Sequence, residues 1–334
     1  MQRLRVYIQY LIMILLAAAL LWLSLRGLTV GEGENKFDFI WKAWQKSSKG
    51  YLLLMVAVAY VSHVLRAERW RMLLAPTGNR VSLVNSFLSL MVGYLVNLAI
   101  PRGGEISRCY NLLKLEKTPV EVSFGTVVVE RIVDVLSLLL VIVLAFLVEW
   151  DKLMEFMASL GIGSGEGKAF KVPAWLVVAV LGVLAIGGLV YAFRKNPRLH
   201  KILEGFRAGL LSIFQMENKW LFIFYSVAIW FLYFLMSYCV ILAFDTTREM
   251  GVGAVLTLFA LGAIAMAAPL PGGTGSYHTI VPLGLVTLYH LPQSDAIVFV
   301  FIFHAWQTVT MIVGGVLSLI FSYWIIRWRS QRTK

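Results

Sequence analysis

Apolar runs of membrane-spanning length follow one another along this chain, and that succession leaves few folds open. A helix needs about 20 apolar residues to cross a hydrocarbon core roughly 30 Å thick. Only helices and closed barrels satisfy their backbone polar groups in lipid. Runs near 6–26, 49–66, 121–148, 172–193, 219–244 and 292–326 have the required length. Two more, 83–113 and 252–290, are interrupted by Pro and Gly. Only 14% of the residues are charged, against about 25% in soluble domains. The deficit runs along the whole chain, so a single appended anchor does not explain it. The first run follows Arg3 and Arg5 and lacks a small-x-small cleavage site, so it reads as a retained helix rather than a signal peptide.

The net charge of +12 reads as basic cytoplasmic loops, not as a nucleic-acid surface. Arg3 and Arg5, the group Arg66, Arg69, Arg71 and Arg80, the group Arg194 to Arg207, and Arg327 to Lys334 all read as inside. The more acidic loop 149–171 reads as outside, as does 27–48. Only one crossing then fits between 66–80 and 149–171, and 121–148 supplies it. The region 83–113 must therefore enter from the cytoplasm and return to it. By the same count 252–290 enters and leaves on the external side. The expected fold is an all-α polytopic membrane protein with six full spans and two oppositely oriented re-entrant helical hairpins. It is one integral membrane domain over 1–334. N-terminal helices occupy 1–82, a first hairpin-plus-helix unit 83–148, connecting helices 149–251, and a second hairpin-plus-helix unit 252–326. Both termini are expected in the cytoplasm. Pro197–Met216 interleaves cations with large apolar residues, the pattern of an amphipathic surface helix or of a packed connector.

An internal repeat agrees with this count. Pro101-Arg102-Gly103-Gly104 matches Pro271-Gly272-Gly273-Thr274, and Arg108 falls opposite His278. Each hairpin precedes a helix begun at a proline, Pro119 or Pro292. Thr118-Pro119-Val120-Glu121 also has the form of a capping box. Twelve residues past each proline stand Arg131 and His304, and three further on Asp134 and Gln307. Two such units of opposite entry make an inverted-topology repeat, the plan of many secondary transporters.

Several residues need a reason to sit in lipid. Broken backbone at membrane depth is tolerated where protein buries it or it lines a cavity. The tips Pro101–Glu105 and Pro271–Ser276 are therefore expected at a cavity, with N–H groups of restarting helices suited to an anion. Glu130 and Asp134 share a helical face, and Arg131 can pair with Asp134 three residues on. A charge at membrane depth needs a partner. This group is either a salt bridge to Arg102 or Arg108, or a polar site for a charged substrate or a proton. His304 and Gln307 form the matching stripe, with His304 a candidate proton-coupling group. Expected contacts for such an anion are Arg102, Gly103, Gly104, Glu105, Arg108, Gly272, Gly273, Thr274, Tyr277 and His278. No metal-ligand spacing, nucleotide-binding loop or hydrolase motif stands out, so no metal, cofactor or catalytic residue is expected. Cys109 and Cys239 lie far apart, with no CxxC spacing.

The sequence Asn97-Leu-Ala-Ile-Pro101-Arg-Gly-Gly-Glu105 with Arg108, then Val129-Glu130-Arg131-Ile-Val-Asp134, then Pro269-Leu-Pro271-Gly-Gly-Thr-Gly275 resembles the transmembrane region of the lysylphosphatidylglycerol synthases, a group of flippase-like membrane proteins. The resemblance covers nearly the whole chain. It implies handling of an anionic phospholipid or a polyprenyl-phosphate-linked lipid. It does not extend to the cytosolic aminoacyl-transferase domain of the full-length synthases, since the chain stops at Lys334 soon after the last helix. The expectation is a lipid flippase or lipid transporter and not an enzyme. The alternative is a membrane enzyme or an accessory scaffold in glycolipid or cell-envelope synthesis. Expected partners are membrane lipids and a separate synthase or glycosyltransferase, with no nucleic acid; a homo-oligomer is allowed.

Overall fold

A computed structural model describes residues 35–159 and 197–332 apart from 269, together with Trp22 and Leu25. The expected spans 6–26 and 172–193 therefore fall outside the described residues but for Trp22 and Leu25. Every regular element among the described residues is helical: α1 (Lys36–Lys46), α2 (Lys49–Leu74), α3 (Leu83–Ala99), α4 (Gly103–Glu116), α5 (Val120–Val148), α6 (Trp150–Ser159), α7 (Pro197–Gln215), α8 (Lys219–Leu242), α9 (Val252–Ala267), α10 (Ser276–Tyr289) and α11 (Gln293–Arg332). Four of these stretches are long and apolar enough to cross a membrane: Lys49–Thr77, Val120–Val148, Lys219–Leu242 and Gln293–Gln331. Their outward faces carry bare Leu, Val, Ile and Phe, as on α5 at Leu136, Leu139, Leu140 and Val143. That is the surface lipid requires.

The apolar helices α3 and α9 are shorter, with 17 and 16 residues. At 1.5 Å per residue each spans about 25 Å, less than the hydrocarbon core. Each is followed by a break and a 14-residue helix folded back against it. Ser82 N–H and the Asn85 amide both donate to Glu116, so α3 begins where α4 ends. Arg329 near the end of α11 donates to the Leu115 carbonyl at that same end. The α9–α10 pair has its open end elsewhere. Glu149, just past α5, lies against Gly253, and Lys152 sits over the Tyr289 ring. The two hairpins thus start from opposite ends of α5.

Their breaks share one feature and differ in another. Each has a left-handed residue after its proline, Arg102 with φ 60° and Gly272 with φ 57°, but the second break adds Gly273 (φ 71°) and Gly275 (φ 96°). Both second arms end on a left-handed residue, Lys117 (φ 60°) and His290 (φ 53°), two positions before Pro119 and Pro292. Pro119 itself is the N-cap of α5, with no side-chain cap, so the capping box expected at Thr118 does not form. Proline holds an extended ψ of 138° there, and the helix starts only after it.

Two close helix crossings, α3 on α4 and α5 on α7, rest on glycine. A Cβ on Gly104 would lie 2.1 Å from the Gly93 carbonyl oxygen, and one on Gly125 2.4 Å from the Phe206 carbonyl oxygen. One on Gly209 would lie 2.4 Å from the Val122 carbonyl oxygen. One face of α7 packs on α5, with Gly205 and Gly209 turned to it, while Ile202, Leu211 and Phe214 stay exposed.

These spacings generate a packing prediction. Gly125→Leu forces α5 and α7 apart and lowers stability by about 1–3 kcal/mol or more. Gly50→Ala, whose added carbon would meet only Ser48 Oγ at 3.9 Å, leaves stability near wild type. Melting temperatures in one detergent compare them, and equal melting of Gly125→Leu and wild type contradicts the close crossing.

Candidate functional site

The site is built on three helices that bring four arginines and three carboxylates together. Helix α2 carries Arg66 and Arg69, three residues apart and so on one face. Helix α4 carries Glu105 and Arg108, and α5 carries Glu130, Arg131 and Asp134. Glu130 and Asp134 each meet three arginines. Glu130 Oε1 lies 3.2 Å from Arg66 Nε and 3.5 Å from Arg69 Nη2, and its Oε2 lies 2.8 Å from Arg108 Nη2. Asp134 accepts from Arg69 Nη2 at 2.7 Å and from Arg66 Nη2. Arg131 Nη2 reaches Glu105 Oε1 at 3.2 Å, and its Nη1 reaches Asp134 at a looser 3.6 Å.

Neutral groups complete the network. Arg66 donates to the Tyr233 hydroxyl at 2.9 Å, and Arg69 to Ser226 Oγ at 3.2 Å, which ties in α8. The Arg108 guanidinium lies 4.7 Å from the centre of the Trp70 ring, a favourable cation–π contact. The Trp70 indole in turn donates to Thr126. Glu130 and Arg69 are fully buried, and Arg66 and Arg108 nearly so. Buried charges of this kind need pairing and hydrogen bonds on both sides. Four arginines face three carboxylates, so the group carries a formal excess of one cation.

Beside this network lies a cavity of about 980 Å³. Arg66, Tyr94, Asn97, Arg102, Glu105, Arg131 and Asp134 form one part of its lining, and Tyr277, His304, Gln307 and Thr308, on α10 and α11, form another. The rest is mostly apolar. Ile106, Ile132, Val135 and Leu136 line the cavity and are also 53–61% exposed, so the mouth opens onto the lipid-facing side of α4 and α5. The two breaks meet at this cavity. Arg102 Nη2 lies 3.4 Å from the Ala267 carbonyl oxygen, a side chain at Gly272 would meet Leu98, and His304 Nε2 lies 2.9 Å from the Gly272 carbonyl oxygen.

Of the residues singled out from sequence, Arg102, Glu105, Arg131, Asp134, Gly272, Gly273, Tyr277, His304 and Gln307 line the cavity. Gly103, Gly104, Arg108, Glu130, Thr274 and His278 do not. Arg108 is turned to Glu130 and Trp70, and His278 packs against His304 with ring centres 4.7 Å apart. Three of the four tip N–H groups expected to face a ligand, those of Gly103, Gly104 and Gly273, are already paired. Gly103 N–H donates to Ile100 O, Gly104 N–H to Asn97 Oδ1 at 2.7 Å, and Gly273 N–H to Leu270 O. Gly104 serves helix packing.

The largest departure from sequence reasoning is at Arg66 and Arg69. Both count there as cytoplasmic loop charges after a span ending at 66. Instead α2 runs on to Leu74 with Trp70, Leu73 and Leu74 buried. The apolar residues continuing past the arginines at helical spacing are the signal that could have found them. Arg71 stands in the last turn of α2, and the loop beyond keeps Arg80.

The burial contrast gives a stability prediction. Glu130→Gln leaves Arg66, Arg69 and Arg108 short of their shared anion and costs about 3–5 kcal/mol. Arg131, with its side chain 43% exposed, contributes no more than about 1 kcal/mol through its pairs, so Arg131→Gln melts close to wild type. Equal melting of wild type and Glu130→Gln contradicts the bridging role of Glu130.

Comparison with known proteins agrees with this architecture. The family described as lysylphosphatidylglycerol synthase TM region matches residues 10–315. A UPF0104 membrane protein of Methanothermobacter thermautotrophicus is 25% identical over 295 residues, 80% of this chain and 83% of that protein. Another, of Methanocaldococcus jannaschii, is 31% identical over 126 residues, 36% of this chain and 38% of the relative. The glycosyltransferase AglD of Haloferax volcanii is 26% identical over 302 residues, 80% of this chain but only 48% of AglD. No solved structure matches. With 306 of its 334 residues inside the family match, and four apolar helices of crossing length, the chain is a multi-pass membrane protein and belongs to the lysylphosphatidylglycerol synthase transmembrane-region family.

Proposed function

We propose that this protein binds an anionic lipid and carries its head group through the membrane, as a lipid flippase or lipid transporter, and that it is not an enzyme. One observation carries the reading: a large cavity has an arginine-rich wall at one side and a mouth lined by exposed Ile106, Ile132, Val135 and Leu136. An amphiphile fits that division. Its phosphate meets the cationic wall, while its acyl or prenyl tails stay in the bilayer along α5. Arg102 and Arg131 are the phosphate contacts, because both line the cavity and neither is fully buried. Arg69 and Arg108 from behind, and Arg66 at the cavity surface, hold the wall together through Glu130 and Asp134.

In this reading the hairpins α3–α4 and α9–α10 are re-entrant and form an inverted-topology repeat around the cavity. Their left-handed residues Arg102 and Gly272, and their starts at opposite ends of α5, support it. Both termini then lie in the cytoplasm, and the protein sits in the cytoplasmic membrane. Alternating access at a site between two such repeats is a known transporter plan. A left-handed backbone is uncommon and strained for a residue other than glycine. Its presence at Arg102 agrees with a demand for that side chain at the tip.

A second reading rests on the likeness to a relative named as a glycosyltransferase over 80% of this chain. There the protein serves as the membrane partner of a separate glycosyltransferase or synthase.

Reconstituted vesicles separate the two. Wild-type protein is expected to speed the exchange of a labelled phospholipid between leaflets, and Arg131→Gln to slow that exchange about tenfold, the loss of one charge-assisted contact. Wild-type vesicles indistinguishable from protein-free ones, with a co-purifying enzyme, favour the partner reading.

A further inference from the structure

The two walls of the cavity differ in chemistry, and the difference specifies the head group. The first wall is charged. The second, on α10 and α11, is polar but neutral: Tyr277, His304, Gln307 and Thr308 line it. Among the described lining residues the carboxylates are Glu105 and Asp134, both on the arginine side. Asp134 is held by Arg66 and Arg69, and Glu105 meets Arg131 through Oε1, while its buried Oε2 has no hydrogen-bond partner among the described residues. The second wall therefore offers no counter-charge to an ammonium group.

It does offer unmet hydrogen bonding. The Gln307 amide and the Thr308 hydroxyl face the cavity and make no hydrogen bond to a described residue. An amide carries two donors and an acceptor, and a hydroxyl carries one donor and an acceptor. At membrane depth such groups need partners. Beside them the Tyr277 and His304 rings stack with centres 5.5 Å apart, and the Gly272 carbonyl fixes His304 at 2.9 Å. The neutral wall is thus a rigid surface of donors and acceptors next to aromatic faces. A cavity of about 980 Å³ has room for a unit beyond the phosphate, being at the upper end of the roughly 300–1,000 Å³ of ordinary ligand pockets.

We infer that the cavity takes a lipid phosphodiester whose head bears a neutral, hydroxyl-rich unit, glycosyl or glycerol. The phosphate lies at Arg102 and Arg131 and the hydroxyls at Gln307 and Thr308. A bare phosphate leaves the second wall unpaired, and an aminoacylated, cationic head meets arginine on one side and no anion on the other. This rests on the lipid-binding reading above and narrows its substrate.

The full chain in detergent, with binding followed by native mass spectrometry, tests the inference. The probes are phosphatidic acid, phosphatidylglycerol, lysyl-phosphatidylglycerol, a short prenyl phosphate and a short prenyl phosphoryl-glucose. Phosphatidylglycerol or prenyl phosphoryl-glucose is expected to bind roughly three- to tenfold tighter than its bare-phosphate counterpart, the worth of one or two neutral hydrogen bonds. The anchor that shows the larger ratio identifies the lipid class. Gln307→Leu combined with Thr308→Val lowers that ratio towards one. Gln307→Glu, which adds a carboxylate, raises the relative binding of lysyl-phosphatidylglycerol and keeps the test open if the double variant fails to fold. A wild-type ratio near one, or lysyl-phosphatidylglycerol as the tightest ligand, overturns the inference and leaves phosphate-lipid binding standing. Failure of every phosphate lipid to bind overturns both.

Discussion

The membrane half of the molecule is organised by one fully buried carboxylate, Glu130. It stands on a helix whose outward face is Leu and Val, and a lone charge at membrane depth is expensive enough that a partner is required. Three arginines from two other helices supply it. That requirement fixes which face of α5 turns inward. It brings α2 and α4 to that face and, through Tyr233 and Ser226, adds α8. Helices in lipid gain little from burying apolar side chains against one another. Ion pairs, glycine contacts such as Gly104 on Gly93, and interhelical hydrogen bonds such as Asn111 to Ser322 therefore do much of the specifying.

The same requirement divides the arginines by role. Arg66, Arg69 and Arg108 are spent on Glu130 and Asp134 and are shut in by Trp70, Phe222 and Tyr233. Arg131 lies at the edge of the network with one moderate and one loose ion pair, facing the cavity. Arg102 reaches the same cavity from the hairpin tip, held only by a 3.4 Å contact to a carbonyl. A wall built this way can present a mobile cation to a ligand while the buried set keeps the helices in place. Binding and stability then depend on different residues of one network.

How much of this was legible in the sequence follows from what carries each signal. Glu130, Arg131 and Asp134 stood out because charge in an apolar run has to be explained, and their pairing followed from helical spacing. The Arg108–Glu130 bridge was among the partners that spacing allowed. The breaks at Pro101 and Pro271 were legible because proline and glycine interrupt helices, and both occur where the sequence located them. Arg66 and Arg69 were not, because a count of loop charges cannot tell an arginine beyond a helix from one inside it. That distinction depends on the tertiary partners. Gly104 was read as room for a ligand, since glycine in sequence does not say which neighbour approaches it, and the neighbour is Gly93. The contrast between a charged wall and a neutral wall was also out of reach, because it arises only when α10 and α11 close over the cavity.

The central claim is that the cavity holds a lipid phosphate at Arg102 and Arg131 with its tail leaving past Ile132 and Val135. A cryo-electron microscopy map of the protein in nanodiscs made with its host's lipids tests this most directly. The account predicts head-group density within hydrogen-bond reach of Arg131 Nη and Arg102 Nη, continuous with tail density along the exposed face of α5. A well-ordered map with ordered lipid elsewhere, and only water between Arg131 and Gln307, would contradict it.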